Sequence, residues 1–186
     1  MEIREARPDE AAAVRAVVQT AFGHQEGVAE LVDELRGTGR MDLELVAVEG
    51  EEVVGHVALD ECWVDDDEAL VRALCLSPLS VRPDRQRAGL GGRLVAAALD
   101  AARARGTAYV FLEGDPGYYG ARGFGPALDR GFLRPTERIP GPAFQVAVLE
   151  DLGVRGRVVY PDVFWRHDAT GLRGERLAQV REALGE

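Results

Sequence analysis

Apolar and polar positions change period several times along the chain, and each change marks an element. Glu2 to Arg7 alternate as a half-buried strand does, and Pro8-Asp9-Glu10 then puts proline and acids where a helix begins. A first helix is predicted to about Phe22. Val28, Leu31, Val32 and Leu35 follow the i, i+3, i+4, i+7 spacing of one buried helix face, which Gly37-Thr38-Gly39 ends. Leu43 to Glu49, Val53 to Val64 and Leu70 to Val81 are extended stretches, separated by Gly50 and by Asp65-Asp66-Asp67-Glu68; they predict an antiparallel meander. Leu94, Val95, Ala98, Leu99 and Ala102 mark the stripe of a third helix, stopped at Gly106. Tyr109 to Leu112 is then a short, wholly apolar strand.

A strand, a crossover helix of this length and another strand make a βαβ unit, so Leu74 to Val81 and Tyr109 to Leu112 are predicted to run parallel in an otherwise antiparallel sheet. Gly114 to Phe124 reads as a turn with a short helix at most. Phe144 to Leu149 and Arg157 to Tyr160 read as further strands, and Leu172 to Leu184 as a closing helix with Leu177, Val180 and Leu184 on one side. Pro135 to Pro142 is the loosest stretch, but no repeat or interdomain linker divides the chain. The pattern predicts an α/β (α+β) fold in a single domain over residues 1–186, with a core of about 1–150 and a strand and helix extension over 151–186.

Composition narrows the partners. With 186 residues and 46% hydrophobic content the chain has enough material for a core. No apolar run approaches the roughly 20 residues of a bilayer span, and Met1-Glu2-Ile3-Arg4-Glu5 lacks the regions of a signal peptide. The expectation is a cytoplasmic protein that uses no membrane. A formal net charge of -10 disfavours nucleic acid, which needs a basic face. It suits a cationic or amine-bearing substrate, or simply solubility. Cys62 and Cys75 have no metal-ligand spacing with His24, His56 or His167, so no metal is expected. If the strands that carry them pair as a hairpin, the two cysteines lie near each other, reduced in a cytoplasmic setting.

The chemistry-bearing stretch is Val81-Arg82-Pro83-Asp84-Arg85-Gln86-Arg87-Ala88-Gly89-Leu90-Gly91-Gly92-Arg93-Leu94, where a strand meets a helix through glycines and arginines. Backbone N–H groups there are free to converge on one anion, and the helix adds its positive end. A Walker A loop is excluded, because no Gly-Lys-Ser/Thr follows and the chain has no lysine. The dinucleotide fingerprint fits better, with Gly89, Gly91 and a downstream Glu113. Its third glycine place is Leu94, however, and Arg82 to Ala88 intervenes after the strand.

Gln86-x-x-Gly89-x-Gly91, preceded by Val81-x-Pro83 and followed by an amphipathic helix, resembles the coenzyme A loop of the GNAT superfamily of N-acetyltransferases. The meander before it, the parallel strand after it and Tyr119-x-x-x-Gly123-Phe124, similar to the family's tyrosine element, stand in the same order. Leu76-Ser77-Pro78-Leu79-Ser80-Val81 joined to Gly114-Asp115-Pro116-x-Tyr118-Tyr119, with later Pro142-x-Phe144 and Gly156-x-Val158-x-Tyr160, is similar to the YhbS-like subgroup. That likeness spans nearly the whole chain and is tightest from Leu74 to Phe124. It implies a central mixed, mostly antiparallel sheet flanked by helices, with a parallel pair of strands splayed to form the coenzyme A site. It further implies acetyl-CoA as cosubstrate, without a metal. The acceptor is then a primary amine of a small molecule or peptide, and the enzyme a monomer or homodimer.

Residue roles follow from the same resemblance. The N–H groups of Arg87, Ala88, Gly89, Leu90, Gly91 and Gly92, with Gln86 and Arg93 beside them, bind the pyrophosphate. Arg82, Arg85, Arg87 and Arg93 are candidates for the remaining phosphate, solvated surface being the alternative for each. Leu79, Ser80 and Val81 lie along the pantetheine arm, whose amides pair with an open strand edge, and an N–H near Leu79 or Ser80 faces the oxyanion. Tyr119 also contacts the cosubstrate and protonates the departing thiolate; a phenol with reference pKa near 10 is close to an alkyl thiol, so transfer is expected to be nearly balanced. Tyr118 is read as core. For the base, His56, Asp60, Glu61, Glu113 and Asp115 are candidates, of which Glu113 is taken, while His56 has a strand hydrogen bond and Asp115 an Asx turn as alternatives. Phe132, Phe144, Tyr160, Phe164 and Trp165 either wall the acceptor or fill the core. Two other functions stay open: a coenzyme A-binding module without catalysis, and a dinucleotide-binding oxidoreductase.

Overall fold

The computed structural model describes residues 1–23 and 27–186. Its elements, in order, are β1 (Glu2–Glu5), α1 (Ala11–Ala21), α2 (Val28–Gly37), β2 (Met41–Glu49), β3 (Glu52–Asp65), β4 (Leu70–Val81), α3 (Leu90–Ala104) and β5 (Tyr109–Glu113). There follow α4 (Pro116–Gly120), β6 (Gly125–Pro126), β7 (Phe132–Leu133), β8 (Phe144–Val148), β9 (Gly156–Val159), α5 (Asp162–Arg166) and α6 (Gly174–Leu184). The strands belong to one mixed sheet flanked by helices. The backbone groups into two units, Met1–Asp60 with Leu76–Arg105, and Glu61–Cys75 with Gly106–Glu186; β3 and β4 contribute to both.

In the first unit β1, β2 and β3 form an antiparallel ladder, with Ile3 opposite Ala47 and Ala47 opposite Gly55. Side chains alternate across such a ladder, so Val46 and Ala47 serve opposite faces. Val46 joins Val14, Val17, Val18, Ala29 and Val32 in the layer that α1 and α2 bury. The other face receives α3, whose Leu94 packs so closely on Gly55 that a Cβ there would lie 2.9 Å from Leu94 Cδ1. Leu94 thus fills a core position where the dinucleotide fingerprint needs a glycine. Salt bridges from Arg15 to Glu30 and Asp33 tie α1 to α2, and Arg36 Nη2 reaches Glu44 Oε1 of β2 at 2.6 Å.

The second unit holds the parallel contact predicted from the βαβ pattern, with Leu74 opposite Val110 and Cys75 opposite Phe111. β5 continues antiparallel to β8, and Trp63 to Asp65 of β3 pair antiparallel with β9. Tyr109 to Leu112 are all buried, which is why this strand reads as a continuous apolar run. Their core is aromatic: Phe111 stacks on Phe144 at 5.7 Å, and Phe132 meets Phe111 and Tyr109 edge-on at 5.0 and 5.1 Å. Helix α5 has no counterpart in the sequence reading, because its 5 residues are too few to display a period.

Candidate active site

In the first unit β4 leads through a 3-10 turn at Pro83–Arg85 into the loop before α3. Arg87 and Gly89 both take positive φ, 59° and 80°, and this alternation turns successive N–H groups toward one side. None of the backbone N–H groups from Arg87 to Gly92 has an acceptor among the described residues; the first such bond of the helix runs from Arg93 N to Gly89 O at 3.2 Å. Gln86 Nε2 donates to Val81 O at 3.0 Å, so this side chain braces the end of β4 against the loop.

The arginines divide. Arg82 pairs with Asp84 and Glu52 at 2.6 and 3.0 Å, and Arg85 with Glu49 and Asp84 at 2.7 and 2.8 Å. Arg93 points to Met1 Sδ. Arg87 is exposed and has no carboxylate partner among the described residues. The described pairing of β4 with β5 covers Leu74 and Cys75 and ends before the stretch Leu76 to Val81. Within that stretch Ser80 is buried and its hydroxyl has no partner.

In the second unit α4 presents Tyr119. Asp115 caps this helix, accepting from Gly117 N–H at 2.8 Å through its side chain and from Tyr119 N–H at 3.0 Å through its carbonyl. The Asx role is therefore the one that Asp115 takes. The Tyr119 ring meets Tyr118 and Phe124 edge-on at 4.9 and 5.8 Å. Burial pushes its phenol up to about 12, against the charge of Arg122. That lies above the reference value near 10, and the phenol keeps its proton throughout the neutral range. Tyr118, read as core, is instead half-buried under the Arg122 guanidinium, 3.6 Å above its ring.

Glu113 closes β5. It is half-buried, and Gly171 N–H donates to its Oε2 at 2.9 Å. Desolvation of its carboxyl pushes it up to about 7, with the Gly171 bond and the Arg138 charge pulling the other way. The rival bases are differently placed. His56 is fully buried, its Nε2 2.9 Å from Glu44 Oε1. Asp60 is fully buried with both carboxyl oxygens unpartnered, and burial, with Glu44 and Asp42 adding, holds it well above the usual carboxylate range. Glu61 pairs with Arg72 at 3.0 Å.

Of the five aromatics, Phe132, Phe144, Tyr160 and Phe164 are core, whereas Trp165 is 42% exposed. Cys62 and Cys75 are buried thiols on adjacent strands, and both act on the Tyr160 hydroxyl. No group of three or more His, Cys, Asp or Glu among the described residues is placed to hold a metal, and His24 lies outside them. No helix among the described residues is long and apolar enough to cross a membrane. Sequence reasoning missed Gly171 and Arg138 as neighbours of Glu113. Neither belongs to a local motif, and Gly171 stands 58 residues away along the chain.

Comparison with known proteins gives these features a context. Residues 2–127 match the acetyltransferase (GNAT) domain family. The uncharacterized N-acetyltransferase YjhQ of Escherichia coli K12 is 32% identical over 130 residues, 68% of this chain and 71% of that protein. The structure of the GNAT family N-acetyltransferase YhbS from Escherichia coli, in complex with CoA, superposes with a TM-score of 0.82 at 32% identity, covering 89% of this chain and 92% of that one. A GNAT family acetyltransferase from Brucella melitensis in complex with acetyl-CoA gives 0.73, also at 32% identity, over 88% and 97%. The chain belongs to the GNAT family of acetyltransferases.

Proposed function

We propose that this protein transfers the acetyl group of acetyl-CoA to a primary amine by direct attack. The observation that carries the donor side is the run of N–H groups from Arg87 to Gly92 left without acceptors beside two positive-φ residues, a fit for a pyrophosphate. Leu79 to Val81 would hold the pantetheine arm by its amides. The two relatives solved with CoA and acetyl-CoA support the same donor.

On the acceptor side, Glu113 is the base. Unlike His56 and Asp60 it is not fully buried, and a carboxyl near 7 is matched to removing a proton at neutral pH. The amine nitrogen bonds to the thioester carbonyl carbon, the C–S bond breaks, and the ammonium proton passes to Glu113. Tyr119 holds a hydrogen bond to the departing sulfur. A phenol at about 12 releases its proton only as charge collects there, and solvent then restores it. The test is thiol release from acetyl-CoA over a panel of primary amines. Turnover with at least one amine, slowed about a hundredfold in Tyr119→Phe, is the expected result; tight acetyl-CoA binding without turnover on any amine would favour the binding module.

A further inference from the structure

The Glu113 carboxyl owes its hydrogen bond to a distant loop that is itself clasped. Gly171 donates to Glu113 at 2.9 Å from φ +69°, and a Cβ there would lie 2.7 Å from the carbonyl carbon of Arg138. No other residue type fits that position without moving the Arg138 backbone. Next to it, Leu172 N–H donates to Arg138 O at 2.9 Å. Asp168, at φ 49°, accepts from Arg138 Nη1 at 3.1 Å and from Arg173 Nε at 2.8 and 2.9 Å. Those two guanidiniums, Arg173 first, hold the Asp168 carboxyl at about 2, so the clasp stays charged at any physiological pH. Arg138 and the loop from Asp168 to Arg173 lie beyond residues 2–127, the part matched by the family, whereas Glu113 lies within it.

We propose that the Asp168 to Arg173 loop is a positioning device for Glu113: the Asp168 clasp seats the loop on Arg138, and the loop delivers the Gly171 amide that aims and stabilises the carboxylate. The idea rests on reading Glu113 as the base. Among the described residues, the groups facing Glu113 are Arg138, whose charge favours the carboxylate, and Tyr160, whose buried hydroxyl Glu113 acts on. Burial disfavours the charged form, and the Gly171 bond and Arg138 restrain that effect. Loosening the loop therefore leaves burial less opposed.

The experiment is NMR titration of the full chain with 13C-labelled glutamate and 15N-labelled glycine, for wild type, Asp168→Asn and Arg173→Gln. The two altered side chains are exposed, so the fold is expected to persist. In wild type the Glu113 carboxyl and the Gly171 amide should titrate with one midpoint. In both variants that midpoint should rise by about one pH unit, the usual scale for loss of a charged hydrogen bond. A Gly171 amide blind to Glu113, or midpoints unmoved in both variants, overturns the proposal. The base reading is tested apart from it, by thiol release from acetyl-CoA with butylamine and spermidine as probes. A Glu113→Gln variant with the wild-type rate and pH profile overturns the base and leaves the titration result standing.

Discussion

A Cβ on Gly114 would lie 2.5 Å from Cε2 and 2.8 Å from Cδ2 of Tyr119, so the tyrosine ring rests directly on the glycine backbone. Alanine at 114 must displace the ring, since backbone cannot yield as a flexible side chain does. Gly114→Ala is expected to lower kcat at saturating acetyl-CoA by about tenfold, and Tyr119→Phe by about a hundredfold, the low end of what general acids contribute. Steady-state kinetics of both variants checks this. A Gly114→Ala enzyme as fast as wild type would mean that the ring's seat has no bearing on rate.

Gly89 has φ 80° with nothing within 4 Å of an added Cβ, so its substitution carries a conformational cost and no clash. Holding an L-residue in the left-handed region costs about 1–2 kcal/mol. Gly89→Ala should therefore weaken CoA binding roughly 5- to 30-fold, by the relation of tenfold per 1.4 kcal/mol. Titration calorimetry measures it, and kcat should hardly change.

Arg87 differs from its neighbours in having no carboxylate partner among the described residues, whereas Arg82 and Arg85 are engaged with Glu52, Glu49 and Asp84. An uncommitted guanidinium beside the loop suits the 3′-phosphate of coenzyme A. Arg87→Ala should weaken CoA several-fold while leaving 3′-dephospho-CoA unchanged, an advantage that salt erodes. Equal weakening of both ligands would assign Arg87 to something other than the 3′-phosphate.

Burial first, then the nearby Glu44 and Asp42, raise the proton affinity of the Asp60 carboxyl well above the ordinary carboxylate value in the folded chain. The unfolded chain releases its Asp60 proton near the ordinary pKa of about 3.9. Between that value and the raised folded one, the native state binds more protons, so stability falls as pH rises. Asp60→Asn should remove this loss, melting higher than wild type at pH 8 and no higher at pH 3. For a chain of this size each kcal/mol corresponds to roughly 2–4 °C. Thermal melts across pH decide it, and an equal difference at both pH values would contradict the assignment.

Local pattern carried much of the fold. The wholly apolar Tyr109 to Leu112 could only be a strand covered on both faces, and the helix stripe at Leu94, Val95 and Ala98 could only be buried on one. Where the chain lacks period, reading failed: α5 and the two-residue strands β6 and β7 are made by tertiary contacts over too few positions to leave a signal. The first strand likewise ends at Glu5 rather than Arg7, where pairing with β2 stops.

The sequence by itself determined the loop on which the donor reading rests, because such a loop is built from adjacent residues: Gln86, Gly89 and Gly91 are close in the chain and therefore close in space. Tyr119 and Glu113 were legible as residue types at given separations from that loop along the chain. Only the tertiary structure decided how they behave. Burial lifts the Tyr119 phenol to about 12 and the Glu113 carboxyl to about 7, and the amide that meets Glu113 comes from Gly171. Proton affinity depends on what surrounds a group in three dimensions, and those surroundings are assembled from parts of the chain that no spacing connects.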